Sequence, residues 1–154
     1  MNRLLVSWLL IFSSLNCHAD YLSSMKATAV ADGVYAILTP ARDIPNPENR
    51  GWNSNSGFVV TKTGVLVVDT GSSEEIGDAL KQTIRQVTDK PVKWIVNSHA
   101  HGDHWLGNIA FKDSNPAIYA TSTVNDLTKS EGATWVDNFK RLSEGATGDT
   151  PLLL

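Results

Sequence analysis

"VLVVDTGSSEEIGDALKQTIRQVTDKPVKWIVNSHAHGDHWLGN", residues 65–108, holds the alternation of patterns on which the fold turns. It opens on the apolar run Val65–Val68, short enough for a buried strand. A helix is expected next. Ser72 can cap it, Glu75 stands three residues on as in a capping box, and Ile76, Leu80, Ile84 and Val87 form one apolar stripe. Pro91 is expected to end that helix, and Val92–Val96 is a second short apolar run. Strand, helix and strand in this order make a βαβ unit, whose crossover lays the two strands parallel in one sheet. Ligands of such sheets bind beyond the carboxyl ends of the strands. Asp69 ends the first strand and His99 follows the second closely, so both reach the same sheet edge.

Upstream, "GFVVTKTGVLVV" pairs Phe58–Val60 with Val65–Val68 across a Lys62-Thr63-Gly64 turn, a β-hairpin pattern. "ATAVADGVYAIL" alternates around a turn at Asp32-Gly33. Residues 41–56, rich in Pro, Asn and Gly, read as a loop. Downstream, Ala117–Ala120 reads as a strand, and Thr121–Lys129 and Thr134–Ser143 as two helices. Trp94, inside an apolar strand, is expected in the core. Trp105 either packs beneath the histidine loop or lines a substrate mouth. Glu74 and Glu75 suit a helix start, where negative charge favours the dipole.

The 154 residues, 42% apolar, amount to one domain, with no repeat, low-complexity stretch or linker. A net charge of −3 without a basic run gives no electrostatic footprint for nucleic acid. "MNRLLVSWLLIFSSLNCHAD" sets one basic residue, Arg3, before the apolar run Leu4–Phe12. That run is too short for a bilayer but has the length of a signal-peptide core, and Cys17 and Ala19 suit cleavage after Ala19. Residues 1–19 are therefore expected to be a signal peptide for export, with lipidation at Cys17 disfavoured by Leu15 and Asn16 and no stable membrane anchor expected. The exported chain would have 12 Lys and Arg against 16 Asp and Glu, net −4, with no cysteine for a disulfide or a thiolate ligand.

Its three remaining histidines, His99, His101 and His104, all fall within six positions. At spacing i, i+2, His99 and His101 leave an extended segment on one side and can reach one ion. Gly102 permits a bend, after which Asp103 and His104 can reach a second. Imidazole with carboxylate suits zinc, manganese or iron better than calcium.

His-x-His-x-Asp-His after a βαβ unit, with an Asp-x-Gly turn at Asp69, resembles the metallo-β-lactamase superfamily of hydrolases from about residue 27 to the end of the chain. The resemblance implies an α/β fold, an αβ/βα sandwich with a dinuclear zinc site between two sheets. It implies His99 and His101 on the first metal, Asp103 and His104 on the second, and Asp69 buried behind them, holding the metal loop. It further implies that two zinc ions share a hydroxide that attacks an ester, thioester or lactam carbonyl of a small-molecule substrate, with Asp103 orienting the nucleophile. Two departures stand out. Where family members often have two glycines after the motif, this chain has Gly107 and Asn108. The family also completes its site with downstream histidines and a bridging aspartate, whereas the 50 residues after His104 contain neither His nor Cys. The expectation is an N-terminal half of the sandwich, residues 20–154 forming an incomplete domain with one sheet face exposed, and with poor solubility as a consequence.

Two other readings compete. "VLVVDTGSS" also resembles the active-site loop of aspartic proteases, in which Asp69 would need a dimer partner. A non-enzymatic reading makes the chain a periplasmic zinc-binding module or an inactive fragment.

Overall fold

The computed structural model describes residues 21–40 and 43–154. The expected signal peptide, 1–19, lies outside the described residues. After a single 3-10 turn at Tyr21–Ser24, strands β1 (Thr28–Ala31), β2 (Val34–Ile37), β3 (Ser56–Val60) and β4 (Val65–Val68) run antiparallel in sequence order. Helix α1 (Glu74–Arg85) then crosses over, and β5 (Val92–Val96) joins β4 in parallel, so the βαβ unit stands as expected. Two 3-10 segments, Gly102–His104 and Leu106–Ser114, lead to β6 (Ala117–Tyr119), which extends the sheet in parallel beside β5. Helix α2 (Ser122–Leu142) closes the element order.

Register explains the two faces. Tyr35, Phe58, Val67, Ile95 and Ile118 align across five strands, and with period-2 alternation their side chains share one face. On that face Phe58, Val65, Val67 and Ile95 pack with Ile76, Leu80 and Ile84 of α1 and with Phe111 of the second 3-10 segment. The other face carries Val34, Val59, Leu66 and Trp94 in the neighbouring row, all only partly buried. Trp94 thus lies on this second face, contrary to the core position expected, because alternation gives the core to Ile95, while a register shift at Val65/Leu66 sets Val92 opposite Val65 on the core side.

Three local expectations change. The N-cap of α1 is Ser73, whose side chain accepts from the Ile76 N–H, while Ser72 is drawn away to donate to the Gly51 carbonyl at 2.6 Å. The helix ends at Arg85 rather than at Pro91, since the Val87 and Thr88 N–H groups both turn back to the Ile84 carbonyl and leave Val87 outside the apolar stripe. The two expected helices are the single helix α2, capped by Thr121 and unbroken through Gly132. Gly132 is kept there by packing: a Cβ would meet Leu152 at 2.8 Å and the Trp105 ring at 3.2 Å. No helix among the described residues is long and apolar enough to cross a membrane.

Candidate metal centre

The loops after β4 and β5 are knitted together by backbone. The Asp69 N–H donates to the Val96 carbonyl, Thr70 N–H to the His104 carbonyl and Gly107 N–H to the Gly71 carbonyl, each within 3.0 Å. Thr70 Oγ1 donates to Asn108 Oδ1 at 2.8 Å, and Asn108 Nδ2 reaches the Leu153 carbonyl at 3.1 Å. Asn108 at the second glycine position therefore has a structural use. Gly107 must be glycine, since a Cβ there would collide with the Thr70 carbonyl.

Asp69 occupies the left-handed region at φ 57°, an uncommon conformation for a non-glycine residue and one often found at functional sites. Its carboxylate is fully engaged. Oδ1 accepts from the Ser98 N–H at 2.8 Å, and Oδ2 accepts from Ser98 Oγ at 2.6 Å and from His104 Nδ1 at 2.9 Å. Burial disfavours the charged form, but the hydrogen bonds from His104 and Ser98 outweigh it and hold the carboxyl below the usual carboxylate range. For His104 burial likewise favours the neutral ring. The hydrogen bond to Asp69 and the charges of Asp103 and Asp69 prevail, and its pKa is raised. With both Asp69 oxygens committed and α1 starting five residues later, the Asp-Thr-Gly loop does not present a protease-like free carboxylate.

Because an ionised carboxylate only accepts, the neutral His104 ring carries its proton on Nδ1 and leaves Nε2 free. Nε2 lies 3.7 Å from Asp103 Oδ2. Two donors each about 2 Å from one ion can be up to about 4 Å apart, so this pair fits a shared zinc. The rings of His99 and His101 are 4.2 Å apart, and His99 lies 5.1 Å from His104. All four expected metal residues are thus brought together beyond the sheet edge. Among the described residues they form pairs of donors, and no group of three or more His, Cys, Asp or Glu is arranged to hold a single ion. Gly102 serves packing rather than an unusual φ, since a Cβ would meet Leu106 at 2.8 Å and Trp135 at 2.9 Å.

Trp105 is buried beneath the loop, where Nε1 donates to the Ala100 carbonyl at 2.9 Å, so it does not line a mouth. Trp135 of α2 places its ring 4.8 Å from His101. Asn53 Nδ2 donates to Asp103 Oδ2 at 3.1 Å and Ser54 Oγ to the Asp103 carbonyl at 2.5 Å. Sequence reading missed these three and Ser98. Asn53 and Ser54 sit in a stretch whose only local signal was that of a loop, and Trp135 reaches the site through a helix packing that no spacing announces.

A family model for the metallo-beta-lactamase superfamily matches residues 49–149. Over 76 residues, 46% of this chain and 14% of the other, the chain is 36% identical to a linear primary-alkylsulfatase of a Pseudomonas species. Over 82 residues, 53% of this chain and 34% of the other, it is 29% identical to metallo-beta-lactamase IND-1 of Chryseobacterium indologenes. Among solved structures, a metallo-beta-lactamase from Erythrobacter litoralis matches with a TM-score of 0.56 at 29% identity, over 69% of this chain and 45% of that one. The mono-zinc form of metallo-beta-lactamase FIM-1 from Pseudomonas aeruginosa matches with a TM-score of 0.57 at 22% identity, over 70% and 46%. The chain therefore spans less than half the length of these relatives.

Proposed function

The chain belongs to the metallo-beta-lactamase superfamily, and on that premise we propose that the intact protein is an exported, zinc-dependent hydrolase acting on an ester, thioester or lactam of a small molecule. The observation that carries this reading is the polarity of His104, whose Nδ1 is tied to Asp69 while Nε2 faces Asp103 Oδ2. A carboxylate behind a histidine fixes its tautomer and raises its basicity as a metal ligand. His99 and His101 would hold one ion, and Asp103 and His104 a second.

Zinc, when bound, lowers the pKa of water from about 16 to about 7 and polarises a substrate oxygen. The chain's own contribution is positional. Asp69 holds His104, and Trp105 braces the loop from below. Asp103, at the loop's edge, would orient the nucleophile while ligating the second ion. Residues 1–19 would be the signal peptide, cleaved after Ala19 for export to the periplasm, and residues 20–154 would form the metallo-β-lactamase-like domain. The alkylsulfatase similarity adds primary alkyl sulfates to the substrates to be assayed.

The test is hydrolysis of a chromogenic lactam, an aryl ester, a thioester and an alkyl sulfate by the zinc-loaded protein. Turnover of one of them, lost with EDTA and in His101→Ala and restored to wild type by zinc, is expected. Turnover that survives both treatments contradicts the reading. Zinc binding without turnover of any of the four would favour the zinc-binding module instead.

A further inference from the structure

We propose that Asn53 and Ser54 are positioning residues that clamp Asp103 and thereby set the geometry of the Asp103–His104 donor pair. This deepens the zinc reading above and rests on it. Asn53 donates to the carboxylate oxygen Oδ2 that stands 3.7 Å from His104 Nε2. Ser54, itself buried, holds the main-chain carbonyl of the same aspartate. Side chain and backbone of Asp103 are thus fixed from one segment, across 50 and 49 residues of sequence.

The segment is itself anchored at nearly every step. The Gly51 N–H donates to Asn49 Oδ1 at 2.8 Å, and the Gly51 carbonyl accepts from Ser72. Trp52 is buried with its ring edge-on to Tyr21, and its carbonyl accepts from Thr39 Oγ1 at 2.9 Å. Asn55 Oδ1 accepts from the Thr39 N–H at 3.0 Å. Arg50, at φ 51°, is held by Glu75 at 2.8 Å. The chain ties down a loop to this extent where the residues it delivers need a fixed address. Asn53 can present only its amide nitrogen to the carboxylate, which leaves its own Oδ1 buried without a partner. Leaving a buried acceptor unpaired is costly, so the bond to Asp103 is kept against that cost.

The clamp touches one donor pair and not the other, which makes it testable. Cobalt(II) is titrated into the full 154-residue chain as wild type, Asn53→Ala, Ser54→Ala, Ser54→Thr, Asp103→Ala and Asn53→Ala/Asp103→Ala, with far-UV circular dichroism confirming the fold. Asn53→Ala and Ser54→Ala are expected to weaken the cobalt held by Asp103 and His104 about 10- to 100-fold and to change its visible absorption. Ser54→Thr is expected to retain binding. In the Asp103→Ala background the Asn53 substitution is expected to add nothing. Wild-type affinity and spectrum in Asn53→Ala would overturn the proposal, as would an equal loss in both backgrounds. A wild-type chain that binds no cobalt would defeat the zinc reading instead, and hydrogen exchange of the metal-free chain then decides the clamp. Amides of residues 102–105 are expected to exchange at least several-fold faster in Asn53→Ala; unchanged exchange overturns it.

Discussion

His104 directs its two ring nitrogens at two different carboxylates, and its pH behaviour follows. Asp69, with its pKa held below the ordinary 3.8, contributes stability that is full above that value and is lost as pH falls through the depressed one. His104, raised above 6.5, contributes stability that is full below 6.5 and is lost as pH rises through the raised value. In the metal-free protein the pair therefore stabilises most completely between 3.8 and 6.5. Thermal melts in EDTA should show His104→Ala losing most stability inside that window and less above it; a uniform loss at all pH would contradict the assignment. Zinc reverses the sense on the acid side, because it needs Nε2 unprotonated, so zinc affinity should fall on acidification. The motif residues were legible because imidazoles are scarce in this chain and crowded at one place. Asn53 and Ser54 were not, since their role exists only once a loop folds back over some 50 residues.

At the scale of elements, patterns with a period were readable and boundaries set by tertiary bonds were not. The parallel β4 and β5 and the Ile76–Leu80–Ile84 stripe follow from periodicity alone. The start of α1 does not. The local pattern favours Ser72, with Glu75 three residues on, yet the cap falls to Ser73 because Gly51, distant in sequence, claims the Ser72 hydroxyl. Both substitutions should destabilise, for different reasons. Ser73→Ala removes a cap worth about 0.5–2 kcal/mol and should loosen the first turn of α1. Ser72→Ala should instead free the Gly51 segment, leaving helix content intact. Hydrogen exchange of Ile76 and Gly77 amides separates the two; faster exchange there in Ser72→Ala alone would reassign the cap. The gap expected between residues 129 and 134 is likewise absent, and Gly132 within it is a contact surface inside α2.

For the whole molecule, the sheet is covered on one side by α1 and the second 3-10 segment, and the row Val34, Val59, Leu66 and Trp94 remains partly exposed on the other. An apolar surface of this kind favours association. The 154-residue chain is expected to bind a hydrophobic dye and to self-associate as concentration rises, and Leu66→Lys should reduce both. A monomer with no dye binding at high concentration would contradict this account of the open face. The same architecture brings the βα loops to one edge, so the metal residues depend on the sheet for their placement and not on the local motif alone.

The most direct measurement is the zinc content and zinc-edge X-ray absorption of the full chain after dialysis against zinc. The account predicts bound zinc with imidazole nitrogen among its ligands, lost or strongly reduced when His101 and His104 are both replaced by alanine. A chain that retains no zinc, or that holds it equally well without those histidines, would contradict it.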